Sequence, residues 1–349
     1  MTATRLCQGF IVFPLRSGHN SEVSSRYVDS IKKNQFQAVR IEANELKLLF
    51  LALLPVSVLI MGHFLFDIVG TSFANYAVQL ISLGSIAATA QSSIAAAQLW
   101  GSAALIYLVS GIGLIGYNFL FLSKNVKGRA LFPFLGIASF LMIIGFSYLM
   151  WVDEGRRPLS MIFYLTFESL KESSLLPPDL IASTKIILYV INIFSVVVPV
   201  LFCAFMPSLL VTPRGGWTEN VLASRIELGR QFCACSSIFL VVGVFHMFAW
   251  MMWSCTMLGR PELSQLVSGV VFFWGIVFST MLATLYLCIM STLNVRRESL
   301  DASRESSPDS HPQLLSELGI VFNGLNQAKQ ALIVFGPVIS AFAASASAQ

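Results

Sequence analysis

Residues 48–70, LLFLALLPVSVLIMGHFLFDIVG, form a long apolar run whose only ionisable side chains are His63 and Asp67. A helix of about 20 apolar residues crosses a ~30 Å hydrocarbon core, so this stretch reads as a membrane span. Five more runs of this kind follow at 101–123, 131–151, 183–211, 232–257 and 263–290. Composition agrees: the chain is 56% hydrophobic and 11% charged, where a soluble domain is roughly 25% charged. Backbone groups facing lipid must be satisfied within their own segment, which makes every span a helix and the fold all-α, a polytopic membrane protein.

Charge sets the expected orientation. Basic residues precede the first span; Lys124, Lys127 and Arg129 lie between the second and third; Arg214, Arg225 and Arg230 lie between the fourth and fifth; Arg296, Arg297, Arg304 and Lys329 follow the sixth. These are seventeen of the 22 basic residues, against Arg156, Arg157, Lys171, Lys185 and Arg260 on the other side. The positive-inside rule then predicts a multi-pass protein of the cell membrane with both termini cytoplasmic. Residues 1–45 are polar and mixed in charge, unlike a signal peptide, so the first span is expected to stay as an anchor.

Working outward from 48–70, the next stretch, SFANYAVQLISLGSIAATAQSSIAAAQLW (72–100), is polar yet uncharged. As a seventh crossing it would move Lys124, Lys127 and Arg129 outside, so it is expected to leave and return on the outer side. Either a re-entrant segment lined by protein or water, or a helix lying flat at the interface, meets that condition. Residues 160–190 occupy the same outer position between spans three and four. The two align weakly, Ser72, Phe73 and Tyr76 against Ser160, Met161 and Tyr164, then 102–109 against 184–191. The reading is six transmembrane helices with two re-entrant or interfacial outer segments.

Two units of helix, outer segment and helix resemble the pore-loop cation channel superfamily. The local likeness is greatest at 160–210, where IFYLTFESL (162–170) looks like a pore helix and PPDL (177–180) sits where a filter gives way to an acidic residue. The resemblance covers spans one to four. It implies an ion channel or transport pore, with Glu168, Ser169, Glu172, Ser173 and Asp179 in a pore loop or vestibule and Pro199 and Pro207 kinking a gate. The potassium-filter glycines are missing, with ESSLLPPD (172–179) in their place, so potassium selection by a carbonyl ring is not expected. Independently of any family, Glu168 and Glu172 are four apart and share a helix face, either in a cation-attracting vestibule or in an ordinary solvated loop.

His63, Asp67 and His246 are the ionisable side chains expected at membrane depth. Counting residues along two outward-running spans puts the histidines at similar depth, so the three are candidates for one buried polar site between spans one and five. Structural hydrogen bonding, proton or ion handling, and cofactor ligation all remain open for them; no particular cofactor follows from the sequence.

Cys7, Cys203, Cys233, Cys235, Cys255 and Cys288 have no zinc spacing and read as buried thiols, with acylation of Cys233 and Cys235 conceivable in principle. Ser110, Gly111, Gly113 and Gly116 offer a small-residue surface for helix packing. Flanking the spans at 48–290 are a cytoplasmic segment 1–47 with an amphipathic helix, a flexible linker 291–313, and an apolar C-terminal stretch 314–349 that reads as an interfacial or partner-docking helix.

No catalytic motif appears, so an enzyme is not expected. The alternative to a pore is a non-catalytic membrane subunit of a larger complex. The expected partners are the lipid bilayer and either copies of the chain or other membrane subunits, with no nucleic acid.

Overall fold

The structure, a computed structural model, describes residues 50–82, 90–126, 131–151, 166–167, 169–171, 177–213, 215–259, 261–305 and 324–346. Within them lie seven long helices: α1 (Leu53–Ser82), α2 (Ala90–Asn125), α3 (Leu131–Trp151), α4 (Pro178–Phe205), α5 (Glu219–Leu258), α6 (Pro261–Glu305) and α7 (Gly324–Ala346). Six of these, α1 to α6, are long and apolar enough to cross a membrane. The protein is an all-α polytopic membrane protein.

Local chemistry fixes several helix ends. Thr218 caps α5, its hydroxyl accepting the Val221 N–H at 3.4 Å. The other end stops at Gly259, whose φ of 60° is the left-handed conformation that glycine adopts without steric cost, its N–H donating to the Cys255 carbonyl at 2.9 Å. Pro261 then opens α6, where its missing N–H costs nothing. So short a link makes α5 and α6 antiparallel neighbours. The bundle centres on α5, with 67% of its apolar window buried against 17% for α3 at the periphery. Helices α2, α6 and α7 pack along α5, α1 packs along α6, and α3 and α2 pack along α4.

The uncharged outer stretch is built differently from the expectation. Residues 72–82 are the end of α1 and 90–99 the start of α2, so they continue the two spans rather than form a separate re-entrant segment; 83–89 lie outside the described residues. At 1.5 Å per residue, the 30 residues of α1 and 36 of α2 run roughly 45 and 54 Å, well beyond a ~30 Å core. Alanine and glutamine are good helix formers, which is why helix persists where hydrophobicity fades. In the second outer segment, residues 166–167 and 169–171 are helical, with Thr166, Phe167, Ser169 and Leu170 buried. Thr166 donates its hydroxyl to Ser254 at 3.3 Å, tying this segment to the C-terminal end of α5.

Two boundaries move in the C-terminal third of the chain. Residues 291–305, expected in a flexible linker, continue α6 as helix, and 306–323 lie outside the described residues. The C-terminal segment forms a helix that packs along α5 and α6. The amphipathic helix expected within 1–47 also lies outside the described residues.

Candidate functional site

The two membrane histidines belong to different clusters. His63, half-buried on α1, lies with Nδ1 3.1 Å from the hydroxyl of Tyr148 on α3, and its ring centroid is 4.5 Å from that of Trp274 on α6. His246, buried on α5, accepts the indole N–H of Trp100 on α2 at Nε2, 3.0 Å away, and stacks on Tyr107 at 5.6 Å. That bond assigns the neutral tautomer with its proton on Nδ1. Helix α6 packs on both α1 and α5, whereas α1 does not pack along α5. His63 thus takes partners from α3 and α6 and His246 from α2, so the two histidines expected, with Asp67, at one site between spans one and five have separate partners. Asp67 lies half-buried a turn beyond His63.

Around His246 the interior is aromatic. Trp100 lies 5.2 Å from Trp250 and 5.6 Å from Trp253, centroid to centroid, and all three indoles are buried. Ligation at His246 Nε2 would first have to break the bond from Trp100. Among the described residues no three His, Cys, Asp or Glu side chains gather as a metal site.

The pore-loop candidates separate as well. Glu168, Glu172 and Ser173 lie outside the described residues. Ser169 is buried within the fold, while Asp179 stands exposed in the first turn of α4, where its carboxylate complements the helix dipole. Pro199 lies inside α4, and Pro207 opens the 3-10 turn Met206–Leu209 that follows it. Every residue from Val198 to Val211 is buried. Both prolines are therefore buried within the fold of the chain itself.

Cys233 and Cys235 are buried too, which closes them to acylation. Of the glycines on α2, only Gly111 meets a neighbour: a Cβ there would fall 2.5 Å from Phe194 Cδ1, while Gly113 and Gly116 face open space.

The feature that sequence reasoning missed is the N-terminal half of α4. From Pro178 to Val197 only Thr184 and Ile191 are buried, and Ile186, Tyr189 and Ile193 are among the large apolar side chains left exposed. Lys185, Tyr189 and Asn192, spaced i, i+4 and i+7, form a polar stripe on this free surface. Lys185 Nζ lies 5.9 Å from the Tyr189 ring centroid and 6.0 Å from that of Phe167. Asn192 is at the midpoint of the 28-residue helix, exposed, its carboxamide without a hydrogen-bond partner among the described residues. A lone Asn in the middle of the run 183–211 was the available signal.

Comparison with protein-family models, with curated proteins and with solved structures found no match to this chain.

Proposed function

We propose that the protein is a non-catalytic integral membrane subunit that assembles within the bilayer through the N-terminal half of α4. Asn192 carries this reading. An amide moved from water into hydrocarbon without a hydrogen bond costs on the order of 4–8 kcal/mol, so a carboxamide at the centre of a spanning helix needs a partner, and none of the described residues supplies one. Asn side chains at membrane helix interfaces meet that need by bonding across to another helix. The long apolar flanks of the same helix half supply the surface for such an association.

The polar stripe supports a second reading, the transport pore. Copies of the chain set around an axis with α4 innermost would turn Lys185, Tyr189 and Asn192 toward a shared aqueous path, where all three would be solvated. Ring-forming lysines favour anions, which sets this pore apart from the cation channels that the pore-loop likeness implies.

Mass measurement of the particle extracted in mild detergent tests the proposal. A particle heavier than the 38.3 kDa chain, reduced to the single chain by Asn192→Leu, is expected. A wild-type particle of one chain would overturn it. Ion flux into liposomes that is abolished by Asn192→Leu would select the pore from the two readings.

A further inference from the structure

Helix α7 is held in the groove between α5 and α6 by bonds that fit its own irregularity. Pro337 lies inside α7 and has no N–H, so the carbonyl of Ile333, four residues earlier, loses its helical donor. The Ser237 hydroxyl of α5 donates to that carbonyl. On the other side of the groove, the Ser279 hydroxyl of α6 accepts the N–H of Val338 at 3.1 Å.

Two glycines bring the backbones together. A Cβ on Gly275 would fall 2.7 Å from Ala341 Cβ and 3.0 Å from the Pro337 carbonyl oxygen, and one on Gly336 would fall 2.8 Å from Ser237 Oγ. Small residues at the contact and serine bonds to the exposed backbone are how helices associate inside a bilayer.

The register gives the depth. Val338 is level with Ser279, Ala341 with Gly275, and Ser345 with Ser268, whose carbonyl accepts its hydroxyl at 3.5 Å. Thus α7 runs antiparallel to α6 and climbs to within five residues of Leu263, where the apolar window of α6 begins at its outer end. At its lower end Ile333 is level with Ser237, inside the span of α5. The 16-residue apolar segment Ala331–Ala346 covers roughly 24 Å of the ~30 Å core.

The outward face of α7 fits the same depth. Val334, Pro337, Ala341 and Ala344 face the groove, while Leu332, Phe335, Ile339 and Phe342 are exposed on the opposite side. A helix docked at an aqueous surface would carry polar side chains there; one that is apolar on both faces is immersed in lipid. The last ionisable side chain before the end of the sequence is Lys329, at the cytoplasmic start of the helix, so nothing charged among residues 330–349 opposes translocation.

We infer that residues 324–346 are a seventh membrane crossing, seated between α5 and α6, which puts residues 347–349 on the face of the membrane opposite the cytoplasmic end of α6. The expectation that both termini are cytoplasmic gives way for the C-terminus. Relative sidedness is independent of the assembly reading and of the absolute orientation of the bundle.

The test is labelling with a membrane-impermeant maleimide in a background carrying Cys7→Ser and Cys288→Ser. Ser299→Cys, on the exposed end of α6, and Ser347→Cys are labelled in intact cells and after permeabilisation. Opposite patterns are expected, one of the two cysteines reacting in intact cells and the other only once the membrane is opened, and either assignment supports the crossing; with the orientation that the charges predict, the first is Ser347→Cys. Reaction of both from one side, or protection of Ser347→Cys under both conditions, would overturn the inference.

Discussion

Ser237 on α5 donates its hydroxyl to the carbonyl of Ile333 on α7, the one acceptor that Pro337 strips of its helical donor. Serine and proline are therefore coupled across two helices. Ser237→Ala is expected to destabilise the protein by about 0.5–1.5 kcal/mol, the usual range for an interhelical hydrogen bond in a membrane. In a Pro337→Ala background the alanine N–H reclaims the carbonyl, and the same substitution should cost close to nothing. Unfolding of the four proteins of this cycle in detergent measures the difference. Equal losses in both backgrounds would show that the serine acts by packing alone.

Gly111 and Gly113 lie two residues apart on α2 in opposite circumstances, the first against Phe194 and the second against open space. Gly111→Ala is predicted to lower stability by about 1–3 kcal/mol through overpacking. Gly113→Ala should leave it unchanged or raise it by up to ~1 kcal/mol, the helix propensity difference. Thermal denaturation in one detergent ranks the pair, and a larger loss at Gly113 would contradict the α2–α4 packing.

The spans were legible because hydrocarbon selects composition directly, and 56% apolar residues with sparse charge leave few other readings. Helix ends were less so. Residues 72–82 and 90–99 carry no hydrophobic signal that distinguishes a continuing helix from a re-entrant turn, whereas the backbone hydrogen bonds that settle the matter are not written in side-chain polarity. Counting residues at a constant rise assigns His63 and His246 an expected depth. It does not assign their partners, because which helices become neighbours depends on the packing of α6 between α1 and α5. The serines that answer Pro337 are distant in sequence and gain meaning only when three helices meet.

Thiol chemistry gives a direct check on the α5 core. Cys233 and Cys235 are 1% and 6% exposed, while Cys288 on α6 is half-buried. A small membrane-permeant maleimide should modify Cys288 in the folded protein at least about tenfold faster than either α5 thiol, since modification of buried thiols awaits opening of the fold. Peptide mapping by mass spectrometry reads the rates. Early modification of Cys233 would place α5 at the surface rather than the centre.

Trp100 and His246 yield a prediction for the α2–α5 interface. His246→Leu leaves a buried indole N–H without its acceptor, for which the expected cost is about 1–3 kcal/mol. Trp100→Phe removes the donor, and combining both changes should recover part of the loss. Strictly additive losses in the double variant would argue that the bond contributes nothing.

Asn192 offers the most direct measurement of the assembly itself. A photo-crosslinking residue placed at 192 in native membranes, with the lipid-facing position of Leu287 on α6 as control, reports what each helix face touches. The predicted result is a protein adduct of discrete mass from position 192 and none from position 287. Only lipid adducts at both positions would contradict assembly through α4.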